Sequence, residues 1–373
     1  MNKTAFHVPW MDCIRGGAVI MVFLYHCLFW VFGRAKLEWA GKVRDFSADP
    51  ELSLLSPLTF GWAGVAIFFV VSGFCIHLSF LKNSNWLAFF WRRFFRIYPP
   101  YFIAMVGFLG LDLLRGDYKG QEMAQFASHA LLVHNFWDDT YFGINPSFWS
   151  IAVEAQLYLL YPLLLGALRL YPWKKVLVAL LLIESSIKIF ESGSLLENGP
   201  LAYALSWAIG AYLADEYFRR EQIRWPRILK SGWLFLAVLA TWLFKPITDL
   251  SFLMVALLTA SFLAGALNKE QDVGNETREP KGWRAALGFL GAISYSFYLL
   301  HQPIISLVNS LLLRIGAISD TSNISHMVIL SCVSLCVAVG VSWVFHMLVE
   351  RPGANFGAKL WNIMRTRSRK EVN

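Results

Sequence analysis

Apolar residues in this chain come in long unbroken runs. They show neither the three-four spacing of a surface helix nor the alternation of a half-buried strand. The runs fall at 11–32, 59–80, 99–114, 148–169, 175–190, 199–217, 231–245, 249–267, 286–311 and 326–349. A helix needs about 20 apolar residues to cross a bilayer. Each run therefore predicts a membrane span, with 231–245 marginal. The expected fold is all-α: a polytopic integral membrane helical bundle of about ten transmembrane helices. A further stretch, 122–137, is short and brings Glu122, His129, His134 and the adjoining Asp138. It predicts an interfacial or re-entrant piece.

Composition agrees. The 373 residues are 57% hydrophobic and 16% charged, against roughly 45–50% and about 25% in soluble domains. That excludes a disordered chain and argues against an ordinary soluble enzyme. The formal net charge is +8, from 33 lysines and arginines against 25 acids. The basic residues sit in short clusters between the apolar runs, which fits topology better than a nucleic-acid patch. With ten spans and the N-terminus inside, 23 of them fall in inner segments, nine in outer ones, and Arg15 within the first run. That asymmetry predicts both termini in the cytoplasm and an even number of spans. If 122–137 crossed, every later loop would change sides and the pattern would fail. The first run lacks a small-residue cleavage site and reads as a retained span. The organisation expected is a transmembrane domain over 1–350 and a basic cytoplasmic tail over 351–373, frayed against anionic lipid from Arg365. Cys13, Cys27, Cys75, Cys332 and Cys336 all lie in apolar runs without a C-x-x-C pair, so we expect reduced, packed thiols and no metal site.

Titratable side chains at membrane depth are costly and point to function. The first run holds the densest set. Arg15 and His26 are eleven residues apart, which puts them on one helix face about 16 Å apart along the axis. Asp12 lies within about 40° of the same line and can pair with Arg15 at i, i+3. The plainer alternative is an interfacial pair with Arg15 reaching the headgroups, and a packed, hydrogen-bonded histidine. In the fourth run Ser150, Glu154 and Tyr158 form one stripe. A carboxylate there suits a general base or a group that orients a histidine; a hydrated carboxylate near the interface fits equally. Ser294, Tyr298 and His301 share a stripe in the ninth run, where Pro303 should kink the helix. Arg92, Arg93 and Arg96 suit a polyanion, although positive-inside anchoring explains them as well. Gly61, Gly64, Ser72 and Gly73 permit close helix packing, and Glu350-Arg351-Pro352 closes the last run. Both of these stretches read as mainly structural.

Taken together and in this order, these stretches resemble the acyltransferase-3 family of polytopic bacterial membrane acyltransferases. The resemblance covers nearly the whole chain. It rests on Asp12 with Arg15-x10-His26, Gly64-Val65 through Ser72-Gly73-Phe74, Arg92-Arg93-x-x-Arg96-Ile97-x-Pro99, Trp149-Ser150 with Glu154, Ser294-Tyr295-Ser296-x-Tyr298-Leu299-x-His301, and Glu350-x-Pro352. One departure is Met11, where the family commonly has leucine before the aspartate.

The resemblance implies a bacterial inner-membrane enzyme. It would move an acyl group, usually acetyl, from cytoplasmic acyl-coenzyme A to a hydroxyl of a surface or lipid-linked glycan. On that reading His26 is the general base, with a transient acyl carrier as its less favoured role, and Glu154 assists. Arg15, Arg92, Arg93 and Arg96 hold the coenzyme, which is a co-substrate rather than a resident cofactor. Asp12, Tyr298 and His301 meet substrate. No metal and no nucleic acid are required, and a homodimer stays open. The competing classes are a glycan or lipid flippase without covalent chemistry and a non-catalytic scaffold. The first predicts inverted repeats, which the sequence does not show.

Overall fold

The computed structural model describes residues 9–36, 50–116, 122–190, 195–219, 222–223, 231–243, 250–273, 281–319 and 323–370. Among the described residues every regular element is a helix. The first group is α1 (Pro9–Lys36), α2 (Pro50–Leu54), α3 (Gly64–Lys82) and α4 (Trp86–Arg115), with a 3-10 turn over Ser56–Ala63 leading into α3. Next come α5 (Glu122–Ala130), α6 (Asp138–Tyr141), α7 (Trp149–Leu170), α8 (Trp173–Phe190), α9 (Ala204–Phe218), α10 (Ser231–Leu243) and α11 (Ser251–Val273). The last are α12 (Trp283–Ala292), α13 (Ser294–Arg314), α14 (Ile324–Phe345) and α15 (Arg351–Lys370).

Helix ends follow local chemistry. The Asn85 side chain accepts from the Ala88 amide to start α4, and Gly116, at φ 76°, closes it. Asn323 starts α14 in the same way, accepting from His326 N–H. These contacts satisfy backbone groups that a helix end leaves without partners.

Among the described residues, seven helical stretches are long and apolar enough to cross a membrane: Trp10–Gly33, Ser56–Lys82, Trp86–Leu114, Trp149–Leu170, Ser251–Lys269, Ser294–Arg314 and Ile324–Thr366. The runs at 175–190, 199–217 and 231–245 fold as α8, α9 and α10, which fall outside that set. Stretch 122–137 carries only the nine-residue α5 and a 3-10 turn. At 1.5 Å per residue α5 is about 13 Å long, too short to cross. Several charges used in the topology count, including Lys3, Lys42, Arg44, Lys119, Arg220, Arg224, Arg227, Lys230, Lys245 and Arg278, lie outside the described residues.

Three expectations need correction. Run 99–114 is the second half of α4, so Arg92, Arg93 and Arg96 sit on the spanning helix itself. Run 286–311 is two helices, because the chain turns at Ile293 between α12 and α13. The basic tail continues as helix α15 to Lys370, joined to α14 by a π-helical turn over His346–Glu350. Within that turn Glu350 is buried; it accepts from Ser296 Oγ at 2.6 Å and lies 3.0 Å from His346 Nδ1. Trp91 Nε1 donates to the Gly357 carbonyl at 2.7 Å, which fastens α15 along α4. The thiols also differ from expectation: all five are free, but Cys332 and Cys336 are exposed on α14.

The small residues of the α3 region act as expected. A Cβ on Gly61 would lie 2.1 Å from the Met21 carbonyl oxygen, and one on Gly64 2.6 Å from that of Ala18, so both lie against α1. On the other side, a Cβ on Gly73 would lie 1.9 Å from Trp207 O, and one on Gly210 1.9 Å from Val70 O. Helices α3 and α9 therefore cross backbone to backbone.

Helix α5 docks on α4 through Tyr101 Oη, which donates to the His129 carbonyl at 3.0 Å, and Tyr98 Oη, which donates to the Ala130 carbonyl at 2.9 Å. His129 and His134 are fully buried and stack face to face, with centroids 3.8 Å apart. Burial lowers the His129 pKa from 6.5 to about 4 and holds His134 well below its ordinary value. The unfolded chain therefore binds more protons than the folded one between those limits. Stability contributed by the neutral pair is present above pH 6.5 and is lost as the pH falls toward about 4. For His129 alone the shift corresponds to about 3 kcal/mol. Thermal melts of the detergent-solubilised protein should drop across that window, and His129→Asn should flatten the slope. A melting temperature independent of pH there would contradict the neutral stack.

Candidate functional site

Helix α1 carries Asp12, Arg15 and His26, and its helical run precedes a break at Gly33, φ 73°. The predicted i, i+3 pair is present, with Arg15 Nη1 3.9 Å from Asp12 Oδ1. One face of this helix thus presents the guanidinium at one level and the imidazole three turns on.

His26 is buried against α13. Its Nδ1 lies 3.0 Å from His301 Nε2, and its Nε2 lies 3.0 Å from Gln302 Nε2. His301 Nδ1 lies 2.8 Å from the Tyr298 carbonyl oxygen. The proton positions follow from that carbonyl. It can only accept, so His301 Nδ1 carries hydrogen and, in the neutral ring, His301 Nε2 is a lone pair. His26 Nδ1–H therefore donates to it. His26 Nε2 is then a lone pair that receives an N–H from Gln302. The Val22 carbonyl, another pure acceptor, also takes a hydrogen bond from the ring and so shares its single N–H. The result is an unprotonated ring nitrogen held in a fixed direction inside the bundle.

Gln302 also donates to Ser147 Oγ at 2.6 Å, which uses both of its N–H groups. Ser147 is held in turn: its amide donates to Asn145 Oδ1 at 3.0 Å. Asn145 Nδ2 donates to the Leu299 carbonyl at 2.9 Å. That carbonyl is the one Pro303 leaves without a helical donor, four residues on. The expected proline effect is thus answered by a side chain from the segment before α7, which ties that segment to α13.

A second polar group lies toward Arg15. Ser150 Oγ is 2.7 Å from Tyr298 Oη. Glu154 accepts from Ser72 Oγ at 2.6 Å and from the Tyr158 hydroxyl. Trp207 Nε1 donates to Ser72 Oγ at 3.3 Å. Arg15, Phe68, Ser72, Ser150, Glu154 and Tyr298 line a cavity of about 60 Å³ here. The hydrogen bonds of Glu154 go to Ser72 and Tyr158, while those to the His26 ring come from α13 and Val22. The two sets meet through Tyr298, whose ring centroid is 5.6 Å from that of His301.

On the other side of the histidine layer is a larger cavity of about 160 Å³. Trp30, Asp112, Asn145, Gln302 and Ser306 are among its lining residues. His26 and its partners therefore lie between two cavities along α1 and α13, one reached from the Arg15 end and the other from the Trp30 end.

The remaining candidates are less central. Arg93 is partly buried, donates to Ser79 Oγ at 3.4 Å and is close enough to Tyr158 to interact with it electrostatically. Arg92 is partly buried and Arg96 is exposed. Neither cavity wall includes any of the three. Asp12 stays near the α1–α12 crossing, where a Cβ on Gly291 would lie 1.9 Å from its carbonyl oxygen. Sequence reasoning missed Gln302 as a partner of His26 and Ser147 as a partner of Gln302, and it missed Asn145 and Trp207 altogether. Asn145-Pro146 and Gln302-Pro303 carried a signal, since each proline removes a donor and leaves a polar neighbour to compensate.

The chain matches the family model of an acyltransferase domain (Acyl_transf_3) over residues 8–343. It is similar to the acyltransferase MdmB of Streptomyces mycarofaciens, 25% identical over 338 residues, covering 83% of this chain and 85% of that protein. It is also similar to a protein of Staphylococcus aureus strain COL provisionally named as an O-acetyltransferase, 26% identical over 348 residues. That match covers 83% of this chain and 52% of the relative, so the chain spans about half of its length. Nodulation protein 10 of Rhizobium leguminosarum bv. viciae is 30% identical over 135 residues, 32% of this chain and 36% of that protein. No solved structure matches the chain.

Proposed function

Because the chain belongs to the acyltransferase domain family and is an acyltransferase of groups other than aminoacyl, we propose that it moves an acyl group, acetyl in the first instance, from acyl-coenzyme A to a hydroxyl of a surface or lipid-linked glycan. The observation that carries this reading is the His26 Nε2 lone pair, fixed in a buried layer with a cavity on each side.

The chemistry balances without a metal. His26 Nε2 takes the proton of the acceptor hydroxyl, and the oxygen attacks the thioester carbonyl. The C–O bond forms, the C–S bond breaks, and the thiolate leaves and recovers the proton from His26. Protonated His26 would donate from both ring nitrogens, so it keeps His301 Nε2 as acceptor for its positive charge. Tyr298 Oη is on the donor-side wall; Ser150 gives its own hydrogen to the Ser147 carbonyl, so the Tyr298 hydroxyl donates to Ser150 at rest and would turn from it to meet charge on the former carbonyl oxygen. Arg15 gives that cavity the only cation among its lining residues, which favours the phosphates of the coenzyme at that end. Arg93 extends the positive field toward Tyr158, and Arg92 and Arg96 lie on the same helix. On this reading the Arg15 end faces the cytoplasmic donor in the inner membrane of a bacterium.

The direct test incubates purified protein in vesicles with radiolabelled acetyl-coenzyme A and an envelope glycan fraction from cells lacking this gene. Label should pass to the glycan, and free coenzyme A should appear in equal amount. Coenzyme that stays intact, with no labelled product, would sink the reading.

A further inference from the structure

We propose that the cavity at the Trp30 end is the acceptor subsite, built for one sugar ring that enters from the side opposite to the donor. The inference rests on the acyl-transfer reading above and adds where the acceptor binds and what recognises it.

Four observations carry it. First, position: Trp30 is one turn beyond His26 on α1, and Ser306 one turn beyond Gln302 on α13. Gln302 is therefore both part of the cavity wall and the direct partner of His26 Nε2 at 3.0 Å. A hydroxyl that takes over this amide contact arrives at the base.

Second, chemistry. Asp112, Ser306 and the Gln302 carbonyl supply a carboxylate, a hydroxyl and an amide oxygen. Such groups match the mixed donors and acceptors of a polyol. No lysine or arginine is among the lining residues, in contrast to the Arg15 cavity. Polyphosphate is thus disfavoured at one end and a neutral sugar is favoured there.

Third, Trp30 is 41% exposed and on the wall. An indole face offers the negative surface that the C–H face of a pyranose stacks on.

Fourth, size. About 160 Å³ is below the roughly 300–1,000 Å³ of most ligand pockets. It suits a single ring and excludes a coenzyme or an extended lipid chain. Asn145 is fully buried and spends its side chain on Leu299 and Ser147, so the floor is pre-organised rather than assembled on binding.

The test measures steady-state transfer with radiolabelled acetyl-coenzyme A and the same envelope glycan fraction. Wild type is compared with Trp30→Ala, Trp30→Phe and Asp112→Asn. Labelled product is cut by glycosidases at neutral pH, which leaves esters intact, and the fragments are weighed. Label should be on a sugar hydroxyl. Trp30→Ala should raise the KM for the glycan fraction by about tenfold, with the KM for acetyl-coenzyme A within about twofold, and Trp30→Phe should restore most of the loss. Because Phe keeps the ring, that rescue separates stacking from misfolding. An unchanged glycan KM in Trp30→Ala, a rise in both KM values together, or label on a lipid or protein hydroxyl would each overturn the subsite. If wild type neither consumes acetyl-coenzyme A nor labels any product, the acyl-transfer reading itself has failed.

Discussion

His26→Ala removes acyl transfer almost entirely, by about 100- to 10,000-fold, the usual contribution of a positioned general base. The argument depends on the proton assignment. The Tyr298 carbonyl fixes hydrogen on His301 Nδ1, and from there each neutral ring can be occupied in only one way. Gln302 caps the free nitrogen. Alanine leaves His301 Nε2 and one Gln302 N–H without a partner, each costing about 1–3 kcal/mol. A fall in activity must therefore be read beside the melting temperature and the amount inserted in the membrane. His26→Gln is the companion variant: it preserves bulk and can hydrogen-bond, but it is no base at neutral pH. If either variant, inserted at the wild-type level, transfers acetyl at the wild-type rate, the histidine is a packing residue and the mechanism is wrong. His301→Gln should be milder, because it disturbs orientation and charge stabilisation while leaving the base in place.

The largest structural effect belongs to the α3–α9 crossing. Gly73→Val and Gly210→Val should each abolish the folded protein. A Cβ at either position would come within 1.9 Å of an opposing carbonyl oxygen, and that obstacle is backbone, which cannot rotate away. The two helices would have to separate. Overpacking in a core typically costs about 1–3 kcal/mol where side chains can yield, and more where they cannot. Separation would also pull Trp207 from Ser72, and Ser72 is one of the two donors that hold Glu154. Gly107 in α4 is the control, since an added Cβ there meets nothing within 4 Å. Gly107→Ala should be neutral or gain up to about 1 kcal/mol from helix propensity. The measurement is the monodisperse fraction after detergent extraction and its thermal midpoint. Valine variants of Gly73 and Gly210 that extract and melt like wild type would disprove the backbone contact.

Much of this fold was legible because the membrane simplifies the code: long apolar runs become helices, and their positions agree closely with α1, α7, α11 and α14. What was not legible is where helices extend or break beneath an apolar pattern. The turn at Ile293 falls between Gly291 and Ser294-Tyr295-Ser296, a weak signal inside a run that is apolar overall, and the break is set by how α12 lies on α1. The start of α4 at Trp86 was hidden by Arg92, Arg93 and Arg96, which look like loop charges until the helix is seen to carry them past α15. In the site, the eleven-residue spacing puts Arg15 and His26 on one face of α1, and Ser150, Glu154 and Tyr158 lie within α7 as Ser294, Tyr298 and His301 lie within α13. Each stripe shows only which way one helix points. It does not show which stripe meets which. That Ser150 meets Tyr298, that Glu154 turns to Ser72, and that His26 meets Gln302 are matters of helix order around the bundle, which depends on packing between distant segments.

That dependence has a consequence for the protein's assembly. The hydrogen bond between His26 and His301 joins residues 275 apart in sequence, and the clamp from Asn145 to Leu299 spans 154. As the chain leaves the ribosome, α1 enters the bilayer well before α13, and its histidine waits for that partner. Until α13 arrives, no ring fixes the proton on His26, no amide faces its lone pair, and neither cavity has its second wall. A chain that stops before α13 therefore lacks the contacts that orient His26.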